Sequence, residues 1–161
     1  MYSNDRASEV REMFFDQLST YKPVSSGGRH RNNIGGPVAD KLSFEREHKF
    51  SFAFENSSYP GYCTEKLVQA FAAQTIPIYW GDPTVAETFN EGAFINCNNY
   101  NSWNEVLAAI KRVDNDQELY RRMLTTPALK HPEMDNIEAK LCQLSDFLCH
   151  IIDQTYADAL R

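Results

Sequence analysis

The segment Lys49-Phe50-Ser51-Phe52-Ala53-Phe54-Glu55 constrains the fold more than any other stretch. Phenylalanine alternates with small residues at period two, the pattern of a strand whose successive side chains point to opposite faces. The small residues allow close coverage of the second face, as in a sheet packed on both sides. Ile76-Pro77-Ile78-Tyr79-Trp80 is a second short apolar strand, ended by Gly81-Asp82-Pro83. Pro77 cannot donate to a ladder, so it places this strand's start, or a sheet edge, there. Residues 93–96 form a third strand. Thr64 is an N-cap before the helical stripe Leu67, Val68 and Phe71. Residues 9–20 and 40–48 read as helices, with Val10, Met13, Phe14 and Leu18 on one face of the first. Ser102 with Glu105 is a capping box opening a helix over residues 102–113, and residues 117–124 continue helically. Strands alternating with helices imply βαβ units and a parallel sheet, so the fold class is α/β.

The remaining chain is less regular. Residues 23–37, rich in Gly and Asn, form a long loop. Asp135 to Arg161 reads as one long helix, with Ile137, Leu141, Leu144, Leu148 and Ile151 stepping by four and three. It would span about 40 Å, more than a small domain needs. Two readings follow: the helix packs on a domain, or it pairs with a second copy as a coiled coil. The domain expectation is therefore 1–134 for the α/β unit and 135–161 for the helix.

Composition narrows the function. The chain has 161 residues, enough for one domain with a real core, and its 10 Phe and 8 Tyr are too many for disorder. A net charge of −6 argues against general nucleic-acid binding. A local cation can still hold an anionic small ligand, because distant carboxylates are screened. No apolar run is long enough to cross a bilayer, and residues 1–6 carry no signal-peptide pattern. Cys63, Cys97, Cys142 and Cys149 lack zinc spacing and read as reduced thiols of a cytosolic protein. The four histidines, His30, His48, His131 and His150, give no metal spacing either.

In open parallel sheets ligands bind beyond the carboxyl ends of the strands. That rule points to the loops at 56–64 and 81–84. The densest polar cluster, Glu55-Asn56 and Tyr62-Cys63-Thr64-Glu65-Lys66, sits where strand gives way to helix. Free N–H groups at a helix start favour an anion. Glu65 suits the helix dipole and Lys66 opposes it. Lys66 is thus either a phosphate ligand sharing the helix start or a solvated lysine. Glu65 either accepts two sugar hydroxyls or is simply a helix-start acid. Neither G-x-G-x-x-G nor a P-loop occurs. Gly27-Gly28 before Arg29 and Arg31 reads as a loop.

Phe54 to Lys66, read as Phe-Glu-Asn-Ser-Ser-Tyr-Pro-Gly-Tyr-Cys-Thr-Glu-Lys, resembles the signature of the α-1,3/4-fucosyltransferases of glycosyltransferase family 10. Ser3-Asn4, Arg11, Phe15, Tyr21 to Arg29, Asn32-Asn33, Asp40-Lys41, His48-Lys49-Phe50 and Ile76 to Gly81 fall in the family's order, so the resemblance covers about residues 3–125. It is closest to bacterial, Helicobacter-like members. The resemblance implies a Rossmann-like sheet flanked by helices, the C-terminal half of a GT-B glycosyltransferase. It implies transfer of L-fucose from GDP-fucose, with inversion, to N-acetylglucosamine or glucose of a β-galactoside glycan. Arg11 and Lys66 match the family's diphosphate contacts, and Asn56, Tyr62 and Glu65 its other donor contacts. Glu55 and Thr64 are further candidates.

The family's general base is a carboxylate of an N-terminal, acceptor-binding domain, so no catalytic residue is named here. Making Glu55 the base would contradict the family pattern. The chain is expected to be a donor-binding domain, inactive alone, with the acceptor domain absent. No metal or cofactor is implied, GDP-fucose being a substrate. The expected partners are GDP-fucose, a glycan reached through the absent domain, and a second copy through Asp135 to Arg161. Acidic residues in that tail leave at most a peripheral membrane role, and a bacterial cytoplasmic location. Two alternatives remain: a transferase for another nucleotide sugar, and a non-catalytic dimerising module. Lys66→Ala and Arg11→Ala are each expected to weaken GDP binding without changing the thermal melt.

Overall fold

The computed structural model describes residues 9–29, 31–131 and 137–154. Ser3-Asn4, His30, and the expected helix at 135–136 and 155–161 lie outside them. The contacts divide the chain into two compact units, Met1–Lys130 and His131–Arg161.

In the first unit, β1 (Phe50–Phe54), β2 (Ile76–Trp80) and β3 (Ile95–Asn96) form a parallel sheet in the order β1-β2-β3. The register pairs Phe50 with Ile76, Phe54 with Trp80, and Ile78 with Ile95. α3 (Glu65–Ala72) makes the β1–β2 crossover, and a 3-10 turn at Val85–Glu87 interrupts the β2–β3 connection. Among the described residues, strand residues 93–94 and helix residues 20, 47 and 48 fall outside the elements expected of them, and residues 40 and 102 stand as N-caps.

Pro77 sits in the central strand, not at an edge, and is fully buried. The bonds Ile76 N–H to Lys49 C=O (3.0 Å) and Glu55 N–H to Trp80 C=O (2.8 Å) turn the even residues of β2 toward β1. Pro77 therefore faces the β3 side, where pairing begins only at Ile78. Its missing donor interrupts no ladder there.

Both faces of the sheet are covered, as the Phe/small alternation implies. On one face Phe54, Ile76, Ile78 and Ile95 pack against Phe14 and Leu18 of α1 (Glu9–Ser19) and Val106 and Ile110 of α4 (Trp103–Asn115). On the other, Ala53 and Tyr79 meet Leu67 and Ala70 of α3. Val68 is exposed, so the buried stripe of α3 runs through Ala70 instead. Likewise Met13 points outward while Arg11 is buried on the inner side of α1.

The caps follow the sequence with two differences. Asp40 caps α2 (Lys41–Arg46), Asp116 caps α5 (Gln117–Thr125), and Ser102 accepts from Glu105 N–H at 3.3 Å. Glu105 reaches back to the Asn101 N–H rather than to Ser102. Thr64 occupies the N-cap of α3 but its hydroxyl makes no cap bond, being taken by Glu55.

The second unit holds α6 (Ile137–Asp153). Gln154 is not helical, so the helix stops short of the expected end. Leu141, Leu144, Leu148 and Ile151 line one side of it and are exposed. Among the described residues, no helix is long and apolar enough to cross a membrane. Cys63, Cys97, Cys142 and Cys149 are free thiols.

Candidate functional site

The candidate residues gather at the carboxyl end of β1. Glu55, the residue after the strand, is 0% exposed. A carboxylate in such a place must be paired and hydrogen-bonded. Its Oε1 accepts the Thr64 N–H at 2.7 Å; its Oε2 accepts the Thr64 hydroxyl at 2.7 Å and Lys66 Nζ at 2.8 Å. Lys66 Nζ also donates to Thr64 Oγ1 at 3.0 Å. The bend from β1 into α3 is thus closed by a Glu55–Thr64–Lys66 network, and this uses both carboxylate oxygens. A carboxylate so engaged has a structural role at this bend.

Arg11 enters from α1, 4% exposed. Its Nη2 donates to the carbonyls of Phe54 and Glu55, both at 2.9 Å, and to Asn56 Oδ1 at 2.8 Å. Arg11, Glu55, Asn56, Thr64 and Lys66 therefore form one cluster. Glu65 is the exposed first residue of α3. A bond from its own backbone N–H, opposed by partial burial and helped by Lys66, holds its carboxyl below the usual range. Tyr62 stays outside the bonded cluster and stands edge-on to Tyr59, centroids 6.4 Å apart.

This geometry changes one expectation. Lys66→Ala would strand the Glu55 carboxylate in the interior, and Arg11→Ala would leave buried carbonyls unpaired. Both substitutions are therefore expected to lower the melt as well as GDP binding.

The second loop of the cluster is tied to the first. Ser58 Oγ donates to Gly81 C=O at 2.6 Å, and Gly61 N–H donates to Asp82 Oδ1 at 2.9 Å. Gly81 lies so close to Glu55 that an added Cβ would stand 2.4 Å from Glu55 Cγ. Strand topology points to the 81–84 loop without singling out Asp82 as a site residue. The Asp-Pro-Thr turn, with Thr84 N–H donating back to Asp82 Oδ1 at 2.8 Å, was the available signal.

Cys63 lies beside this network, its thiol pushed up by burial. Among the described residues no group of three His, Cys, Asp or Glu side chains is arranged to hold a metal ion. An apolar cavity of about 220 Å³ lies toward the amino end of β1, lined by Leu18, Tyr21, Phe44, Phe50 and Phe52. None of the candidate residues lines it.

Residues 1–158 match the family described as glycosyltransferase family 10 (fucosyltransferase), C-terminal. An α-(1,3)-fucosyltransferase of Helicobacter pylori is 39% identical over 115 residues, 71% of this chain and 24% of that protein. A putative fucosyltransferase of Acanthamoeba polyphaga mimivirus is 31% identical over 147 residues, 81% of this chain and again 24% of the other. A crystal structure of an α1,3-fucosyltransferase with GDP-fucose superposes with a TM-score of 0.75 at 39% identity, covering 77% of this chain and 36% of that one. The chain thus spans about a quarter of the length of these relatives.

Proposed function

The chain belongs to the glycosyltransferase family 10 fucosyltransferases, and from that premise we propose that its β1–α3 junction binds GDP-fucose as the donor domain of an inverting α-1,3-fucosyltransferase. One observation carries this reading: Arg11, Asn56 and Lys66 converge at the carboxyl end of β1, beside a helix N-terminus. That is where a parallel sheet receives anionic ligands.

In the proposed reaction a carboxylate outside these residues deprotonates the acceptor hydroxyl. The acceptor oxygen attacks the anomeric carbon, the glycosidic bond breaks, and GDP departs with its electron pair. Arg11, Lys66 and the α3 N–H groups stabilise the charge that develops on the diphosphate. Glu65 accepts sugar hydroxyls, Asn56 and Tyr62 orient the donor, and Glu55 holds Lys66 in place. The cations do what a metal would do elsewhere, so transfer needs no metal or cofactor. The acceptor is N-acetylglucosamine or glucose of a β-galactoside glycan, reached through a further domain, and the location is the cytoplasm.

Calorimetric titration with GDP-fucose, GDP, UDP and ADP tests this. Guanine-selective binding is expected; equal uptake of all nucleotides, or of none, overturns the reading. A second proposal rests on the apolar side of α6: it pairs two copies of the chain. Sedimentation should then show a dimer that Leu144→Glu and Leu148→Glu dissociate.

A further inference from the structure

We propose that Asp82 is a positioning residue for the donor site: it fastens the 56–64 loop to the sheet and so fixes where Tyr62 stands. The inference rests on the donor-site reading and extends it to a residue outside the cluster.

Asp82 is 5% exposed. No cation pairs with it among the described residues; N–H and O–H groups take its charge instead. Its Oδ1 accepts Gly61 N–H at 2.9 Å, Thr84 N–H at 2.8 Å and Thr84 Oγ1 at 2.6 Å. Burial alone would raise its pKa, but these donors outweigh it and hold the carboxyl below the usual range. It therefore stays ionised, the form that accepts all three bonds best.

The acid is itself held on the rigid side. Its N–H donates to the buried Tyr79 hydroxyl at 2.9 Å, and its carbonyl accepts Asn98 Nδ2 at 3.2 Å. A fixed carboxylate thus meets the middle of a loop whose ends, Asn56 and Thr64, are tied to Arg11 and Glu55. Tyr59 is 64% exposed, and Ser58, Pro60 and Gly61 are exposed too. With so little apolar burial, the loop depends on polar ties, and local order there is cheap to lose. Two donors reach the 81–84 turn: Ser58 Oγ bonds the Gly81 carbonyl, and Gly61 N–H bonds Asp82 Oδ1 at 2.9 Å and, more weakly, Thr84 Oγ1 at 3.3 Å. The Gly61 tie is the more directive. Gly61 has φ +78°, a reversal few other residues adopt, and Tyr62 is the next residue. Orienting the Gly61 N–H therefore orients the chain into Tyr62.

The test uses the full chain and three variants. Asp82→Ala removes the carboxylate and leaves the Gly61 N–H only its longer contact to Thr84 Oγ1 at 3.3 Å. Asp82→Ser keeps an oxygen near Thr84 but is too short for Gly61, and guards against a failure of the alanine variant to fold. Asp82→Asn keeps an acceptor of the same reach. Amide exchange by NMR is read first, without ligand. Gly61 and Tyr62 should exchange at least about tenfold faster in Asp82→Ala and Asp82→Ser, with Ile78 in β2 unchanged, and Asp82→Asn should stay within about threefold of the original chain. GDP affinity should weaken about tenfold in the first two variants and be rescued by asparagine. Unchanged exchange at Gly61 overturns the tie. Faster exchange with unchanged GDP affinity overturns the positioning role. If the original chain takes up no GDP, the donor-site reading has failed, and exchange at Gly61 still decides whether Asp82 holds the loop.

Discussion

Two charged residues flank β1, and their fates differ. Glu55, at the carboxyl end, is 0% exposed and draws Lys66 in until that side chain is only 23% exposed. Lys49, at the amino end, reaches Asp114 of α4 at 3.1 Å while remaining 51% exposed, although Asp114 itself is 4% exposed. Lys22 and the Tyr21 hydroxyl share the same acid. Both ends thus hold a covered carboxylate with a lysine. At one end the cation is largely covered; at the other, half of it stays in water. A covered pair cannot be broken without leaving a charge behind, whereas a half-exposed lysine can turn to solvent.

The largest effect expected from this contrast is at Lys66. Lys66→Met leaves the buried Glu55 carboxyl with only Thr64 as a partner, and should cost about 3–5 kcal/mol. Replacing both partners, Glu55→Gln with Lys66→Met, should recover most of that loss, because no unpaired charge remains. Urea unfolding with an unchanged m-value measures both. A double variant no better than the single one would show that Glu55 is held by Thr64 and not by the ion pair.

Next comes the packing around the same acid. Gly81→Ala would drive its Cβ to 2.4 Å from Glu55 Cγ and 2.8 Å from Glu55 Cβ. Neither atom has room to retreat, since the carboxylate is anchored on both oxygens. The expected loss is about 1–3 kcal/mol, the ordinary range for overpacking. A neutral effect would mean that the carboxyl end is looser than its bonds imply.

The amino end should report itself through pH. Burial alone would raise the Asp114 pKa, but bonds from Lys22, Tyr21 and Lys49 bring it from 3.8 to about 2. Its folded pKa lies below its unfolded one, so its stabilisation is present above about pH 4 and lost as pH falls through about 2. The lowering corresponds to about 2 kcal/mol. Asp114→Asn should therefore cost about that much at pH 7 and little at pH 2, where the folded carboxyl is half protonated. A gap that persists at pH 2 would place the loss in packing, not in charge.

The same contrast explains what could be seen in the sequence. The strands and their two covered faces were legible because Phe50-Ser51-Phe52-Ala53-Phe54 carries its own periodicity. The cap at Ser102 was legible because partner and cap lie within three residues. The Glu55-to-Lys66 cluster was visible as a dense polar stretch at a strand end. That Glu55 would be fully covered was not, because burial depends on Gly81, 26 residues on, pressing against it. The burial of Arg11 was hidden likewise: its acceptors are carbonyls of another element, and carbonyls leave no trace in side-chain pattern. Pro77 stands second in β2, as the strand-start alternative has it; the edge alternative fails because the proline rule assumes a ladder on both sides, and β3 is too short to supply one.

The smallest effect tests the exposed half of the comparison. Lys49→Met keeps the aliphatic stem near the Tyr120 ring but removes the ammonium, which lies 5.1 Å from the ring centroid and bonds the Asp114 carboxylate and carbonyl. With Lys22 and Tyr21 still bonded to Asp114, the loss should be only about 0.2–1 kcal/mol. Salt then separates the two ends. At about 1 M the screening length falls to about 3 Å, so the difference between Lys49→Met and the original chain should all but vanish. The Lys66→Met loss should persist under the same salt, because its partner is closed to ions. If both losses persisted, Lys49 would be as much a part of the interior as Lys66, and the distinction between the two ends of β1 would fail.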